Sequence, residues 1–139
     1  MSYSLAFTQA IALMISIGAQ NQIKQIEWVS AANLAELLSI PRPTVVNILT
    51  RLLASGLLES KEGNKGGVRL AKASADLTLL DIFEAIERKR PLFRTDMAVT
   101  NKSNEAREAR RKVVESFQAA EDKMKQALAG VQLNSLFGC

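Results

Sequence analysis

One stretch limits this chain more than any other: "LAELLSIPRPTVVNI", residues 34–48. Two helices that cross tightly through a short turn need a small side chain at the crossing, and Ala35 supplies it. Four residues on, the turn needs a small residue that tolerates unusual dihedrals, and Ser39 stands there in place of the more usual glycine. Leu34, Leu38, Ile40, Val45 and Ile48 then fall where apolar side chains would hold both helices to a core. This is the pattern of a helix-turn-helix, whose second helix enters the major groove of DNA. An ordinary pair of packed helices with alanine at the contact fits the same residues. The next segment of the chain separates the two readings. Leu57-Leu58, a charged stretch holding Gly63, Gly66 and Gly67, and a second short strand candidate together make a winged helix.

The flanking signals agree with a mostly helical chain. A largely apolar run over residues 5–17 predicts a first helix, closed by Gly18-Ala19-Gln20-Asn21. Ser30 offers an N-cap for a helix over residues 31–38 with Leu34, Leu37 and Leu38 as its apolar side. The third helix starts at Pro41-Arg42-Pro43, carries Val45, Ile48, Leu49, Leu52 and Leu53 as its stripe, and is closed by Ser55-Gly56. Residues 57–60 and 68–71 are strand candidates. Thr78 and Asp81 form a capping-box pattern ahead of Leu79, Ile82, Phe83 and Ile86. After a basic loop, residues 103–128 return to helical spacing with a narrow seam: Ala106, Ala109, Val113, Phe117, Ala120, Met124, Ala127 and Val131. A long helix with one narrow apolar stripe wants a second helix along it.

These residues resemble the Rrf2-type winged-helix transcription regulators over residues 5–87. The most specific parts are Ala54-Ser55-Gly56-Leu57-Leu58, the Gly63, Gly66, Gly67 wing, and the segment from Leu77 through Thr78, Asp81 and Glu84 to Ile86. The resemblance implies a homodimer built on a long C-terminal helix, binding pseudo-palindromic promoter DNA, in many members as a repressor. Several such regulators sense iron–sulfur status, nitric oxide, cysteine metabolism or oxidants. Cluster-binding members place three cysteines in the loop before the dimer helix, here residues 88–104, where this chain has none. The family wing also favours arginine before its first glycine and an aromatic after the double glycine; here Glu62 and Val68 stand there. Minor-groove insertion of that arginine therefore does not carry over.

Composition excludes several other chemistries. The 139 residues contain no histidine and one cysteine, Cys139. Zinc sites of His and Cys, Ser-His-Asp and Cys-His nucleophiles, and an internal disulfide framework are all out. No iron–sulfur cluster is expected, nor any other cofactor or metal, and no enzyme activity. Apolar residues make up 47% of the chain, enough for one domain with a core and an appended helix. The net charge of +4 is compatible with nucleic acid without requiring it. No charge precedes Lys24, but a signal peptide wants a basic start, and polar Thr8, Gln9, Ser16 and Gln20 interrupt a membrane span. A buried first helix is the better reading.

The expected fold is therefore mainly α: a winged helix-turn-helix over residues 1–87 with a two-stranded β wing, a basic linker over 88–102, and a long C-terminal dimerisation helix with its tail over 103–139. The expected DNA-binding residues are Arg42, Thr44, Asn47 and Arg51 on the third helix, facing away from its stripe, and Lys61, Lys65 and Arg69 on the wing. Thr44 and Asn47 suit base edges, Arg42 a guanine or a phosphate, and the wing cations phosphates. The competing reading of the third-helix residues is a solvated polar face. The basic run Arg88-Lys89-Arg90, with Arg94, reads first as solvated surface; DNA contact or an effector pocket are its other uses. Trp28 is expected to pack against the first helix. The partners are double-stranded DNA, a second copy of the chain and an effector of unassigned chemistry, with no membrane, in the cytoplasm. The alternatives are a winged-helix protein-interaction module without DNA binding, which Glu62 favours, and a thiol-based redox sensor acting through Cys139.

Overall fold

A computed structural model describes residues 5–88, 90–93 and 103–138. Along the chain run α1 (Leu5–Gln22), α2 (Ala31–Leu38), α3 (Arg42–Ala54), β1 (Leu58–Lys61), β2 (Gly67–Leu70), α4 (Leu79–Glu87) and α5 (Asn104–Ala129). Short 3₁₀ turns sit at Ser74–Asp76 and Leu133–Leu136. The architecture is the expected mainly helical winged helix with a long C-terminal helix. Among the described residues no helix is long and apolar enough to cross a membrane. Most of the expected linker, residues 89 and 94–102, and Cys139 lie outside the described residues, so the expectations on Lys89, Arg94 and Cys139 do too.

The core is organised around α1. Ala10, Leu13, Met14 and Ile17 are fully buried, and Ser16, Gly18 and Gln20 are buried beside them. At about 100° per residue these positions span roughly 200° of the helix circumference, so α1 is wrapped on more than one side. It touches α2, α3, α4, β2 and the last 3₁₀ turn. The helix runs through Gly18 and ends at Gln22, one residue past the expected closing segment Gly18-Ala19-Gln20-Asn21. Gly18 instead makes room: a Cβ there would lie 2.8 Å from Phe137 Cε1. The stop comes later, through Asn21. Its Nδ2 donates to the carbonyls of Ile26 (2.8 Å) and Glu27 (3.0 Å), and its Oδ1 accepts from the Leu70 N–H (3.0 Å). One amide side chain thus ties the end of α1 to the following loop and to β2.

The helix-turn-helix forms as its residues predict. Ser30 caps α2 by accepting from the Asn33 N–H at 3.1 Å. Ser39 adopts the left-handed conformation, φ 53° and ψ 42°, and its N–H closes the α2 C-terminus. A non-glycine residue there costs about 1–2 kcal/mol. Ile40 N–H then bonds the Ala35 carbonyl at 3.1 Å, which seats the turn against the small residue at the crossing. Leu37 departs from expectation and is 57% exposed. Leu34 and Leu38, four apart and flanked by Ala31 and Ala35, fill the inner face of this two-turn helix, which leaves Leu37 on its flank. On α3, Val45, Ile48, Leu49 and Leu52 are buried, so that helix has one fixed orientation.

The wing is an antiparallel pair in the register Leu58↔Leu70, Glu59↔Arg69, Ser60↔Val68 and Lys61↔Gly67. Each strand sits one residue from its expected span, and the expected Leu57–Ala71 pair keeps a single bond from the Ala71 N–H to the Leu57 carbonyl (3.0 Å). Val29 adds a single-residue third strand, exchanging two 2.9 Å backbone bonds with Val68. That approach explains the double glycine. A Cβ on Gly67 would strike the Val29 backbone, and one on Gly66 the Lys61 carbonyl.

Thr78 and Asp81 form the expected reciprocal capping box of α4. Ser103 caps α5, whose 26 residues extend about 39 Å. One flank of α5 returns to the body: Phe117 stacks on Phe93 at 4.4 Å, Glu121 accepts from the Leu92 N–H at 2.7 Å, and Lys125 pairs with Glu84 at 3.5 Å. Beyond α5 the chain closes back on α4, with Leu79 N–H bonded to the Val131 carbonyl (3.0 Å) and Leu133 N–H to that of Leu77 (2.8 Å). Leu133 is fully buried in the core. The other flank of α5 is open in a single chain: Ala109, Val113, Ala120 and Ala127 of the seam are exposed. Nearby, Arg111 binds Glu108 and Glu115; the Arg111 bond holds the Glu108 carboxyl below its usual range and raises the guanidinium.

Candidate nucleic-acid interface

The buried stripe of α3 decides what the helix shows to solvent. Directly opposite it, at about 100° per residue, fall Pro43, Asn47 and Thr50, with Val46 on one shoulder and Arg51 on the other. Arg42 is exposed at the first residue of the helix, and Asn47 is exposed one turn later. Thr44 and Arg51 are half-buried on the same flank, so they border the outer face more than they crown it. The structure thus sets Thr44, Asn47 and Arg51 in one row along the helix, with Arg42 on the Val46 shoulder, half a circumference from Arg51. Pro43, Val46 and Thr50 were missed by sequence reasoning. The stripe already implied them, because positions opposite 45, 48, 49 and 52 are fixed by helical period alone.

The α3 N-terminus offers little backbone for an anion. Pro43 has no N–H, and the N–H groups of Thr44 and Val45 already bond the Pro41 carbonyl at 3.0 and 3.1 Å. Charge at that end must come chiefly from the Arg42 side chain. Thr50 donates its hydroxyl to the Val46 carbonyl at 2.8 Å, which removes that proton from outward bonding.

On the wing the expected cations divide. Lys65 is exposed at the hairpin turn, which is closed by the Gly66 N–H to the Gly63 carbonyl (3.1 Å). Lys61 is exposed on β1, its Nζ 5.9 Å from the Trp28 ring centre. Arg69 is placed differently. Its Nη1 pairs with Glu27, its Nε bonds Glu59 at 3.0 Å, and its guanidinium lies 4.4 Å over the Trp28 ring. The register causes this: Val29 opposite Val68 sets Trp28 opposite Arg69, and Glu59 is opposite Arg69 on the other side. Trp28, expected against α1, is therefore the floor of the wing root. A polar cleft of about 490 Å³ opens beside it, lined by Asn21, Gln25, Glu27, Glu59 and Arg69. Glu62 is exposed at the wing turn.

The basic run after α4 is partly engaged. Arg90 Nη1 lies 3.3 Å from the carboxylate of Glu87, whose side chain is wholly buried. Arg88 closes α4 with φ 51° and borders a cleft of about 540 Å³ with Ala54, Ser55 and Glu84.

Known proteins share this fold. A family model described as "Rrf2: Iron-dependent Transcriptional regulator" matches residues 3–138. The solved structure of CymR, the global cysteine regulator of B. subtilis, superposes with TM-score 0.69 at 18% identity, covering 99% of this chain and 96% of that one. IscR of T. potens gives 0.64 at 18% identity, covering 98% and 85%. The oxidized form of Staphylococcus aureus CymR gives 0.71 at 19%, covering 100% and 98%. At these identities the likeness establishes the fold. YwgB of Bacillus subtilis (strain 168), whose name provisionally calls it an HTH-type transcriptional regulator, is 39% identical over 46 residues. That match is 33% of this chain and 30% of YwgB, less than a third of its length. The iron in the family description does not fit the donors present. The chain has no histidine and one cysteine, and the described residues hold no group of three or more His, Cys, Asp or Glu placed to share an ion.

Proposed function

Since this chain belongs to the Rrf2 family of transcription regulators, we propose that it is a sequence-specific repressor that binds a pseudo-palindromic operator as a homodimer. The observation that carries this reading is the outer face of α3. Its buried stripe locks the helix, with Asn47 on the exposed face and Arg42 and Arg51 at its two opposite edges, where a major groove would lie. Asn47 suits an adenine edge, Arg42 a guanine or a phosphate near the helix start, and Thr44 and Arg51 the flanking backbone. Lys61 and Lys65 neutralise phosphates from the wing. Arg69, already matched by two carboxylates, serves as the residue that fixes the wing's angle.

The open seam of α5 supports pairing of two chains along that helix, which would set two α3 helices about 34 Å apart. On this reading residues 1–87 read DNA, 88–102 connect, and 103–139 pair the chains, with the protein acting in the cytoplasm. The contacts of α5 with α4 and Leu92 give an effector a route to the α3 spacing.

A fluorescence-anisotropy titration against DNA upstream of its own gene, with random duplex as competitor, tests the proposal. Specific binding should exceed random binding by about a thousandfold or more. Arg42→Glu with Arg51→Glu should abolish it while circular dichroism stays unchanged. Equal affinity for random duplex would end this reading.

A further inference from the structure

We propose that Val46 is a specificity-determining residue that reads the C5-methyl group of a thymine in the major groove. The inference rests on the DNA-binding function proposed for α3 and deepens it. Val46 is 47% exposed, and it is the one large apolar side chain of α3 left open to that extent. Among the described residues the remaining exposed large hydrophobics lie elsewhere: Leu5 at the start of α1, Leu37 on α2, Ile23 and Ile26 in a loop, Val113 on the α5 seam and Leu136 near the chain end.

Val46 is not part of the buried core, about half of its surface is open to water, and a β-branched residue is a modest helix former. Its surroundings point to a base pair. Pro43, exposed one turn earlier at i−3, adds a second hydrocarbon surface beside it, while Arg42 at i−4 supplies a polar group on the same side. In the major groove, hydrogen-bonding groups line every base pair, and the apolar feature among them is the thymine methyl. The stiff χ1 of valine in a helix holds its methyl groups in place before contact, so little rotamer freedom is lost on binding. The early turns of a recognition helix are also those that reach base edges. With Thr50 donating its hydroxyl to the Val46 carbonyl, the second turn presents hydrocarbon rather than a donor on that shoulder.

The test begins with binding sites selected from a random duplex library by the full chain. Each thymine of the selected site is then replaced singly by deoxyuridine, which removes only the methyl group. One position per half-site should lose about fourfold in affinity, and replacing both symmetry-related positions about fifteenfold. Val46→Ala, at an exposed position, should fold normally, bind the thymine site more weakly and no longer distinguish uracil from thymine there. Wild-type binding that is specific yet indifferent to every uracil replacement would overturn this inference alone. The same holds if Val46→Ala keeps the full uracil penalty. A wild-type chain that selects no sequence would remove the DNA reading and this inference together.

Discussion

Arg69→Gln separates a wing that is held from one that merely hangs. The substitution removes two ion pairs, with Glu27 and Glu59, and one stacking contact with Trp28. The Arg69 side chain is 37% exposed and its partners 63% and 49%, so solvent screens both pairs. Each is then worth about 0.5 kcal/mol. The guanidinium over the indole adds about 0.5–1 kcal/mol. Leaving two carboxylates near each other without their cation adds a few tenths more. The expected loss is about 2 kcal/mol, or roughly a 1 M fall in the urea midpoint for a chain of this size. Trp28 is the only tryptophan, so its emission reports the wing root directly during unfolding. At 1 M salt the ion-pair part of the difference should shrink, because screening then acts within about 3 Å. DNA binding provides the second readout. If Arg69 positions the wing, the variant weakens binding with an unchanged salt slope. A slope lower by about one would show a direct phosphate contact instead. A midpoint within 0.2 M of wild type (on the order of the extrapolation error) with unshifted Trp28 emission would refute the latch.

The wing turn, the strand contact and the α5 seam each give a further expected outcome. Lys61→Ala and Lys65→Ala should each lower the salt slope of DNA binding by about one without altering which sequence is preferred, as measured by titration across a salt series. Gly67→Ala places a Cβ at φ +149° against the Val29 backbone and should cost more than about 2 kcal/mol in denaturant unfolding. Val113→Glu sets a charge in the open seam of α5 and should shift the chain to monomer in analytical ultracentrifugation while leaving its helical circular dichroism intact.

Local chemistry made much of this fold readable. Ser30, Thr78 and Asp81 cap the helices their sequence context predicts, since a cap is settled within four residues. Ser39 takes the left-handed turn because the helix crossing at Ala35 demands it. The stripe of α3 implied the outer face that carries Asn47, with Arg51 at one edge and Arg42 at the other. What escaped is long-range. Gly18 reads locally as the first residue of a segment that closes a helix, whereas its small size answers the ring of Phe137 at the far end of the chain. Arg69 reads as a free wing cation, because nothing near it in sequence reveals Glu27 and Trp28 as its neighbours. Val46 escaped for a different reason: the stripe placed it outside the core, but a search for polar side chains on the outer face passes over an apolar one.

The measurement that bears most directly on the central claim is guanine-N7 methylation interference on the selected duplex, combined with hydroxyl-radical footprinting. N7 faces the major groove, where α3 should lie. Recognition through paired α3 helices predicts two interference patches about one helical turn apart, or a whole multiple of it, both lost with Arg42→Glu. Interference absent from the major groove, or a footprint indifferent to Arg42, would contradict it.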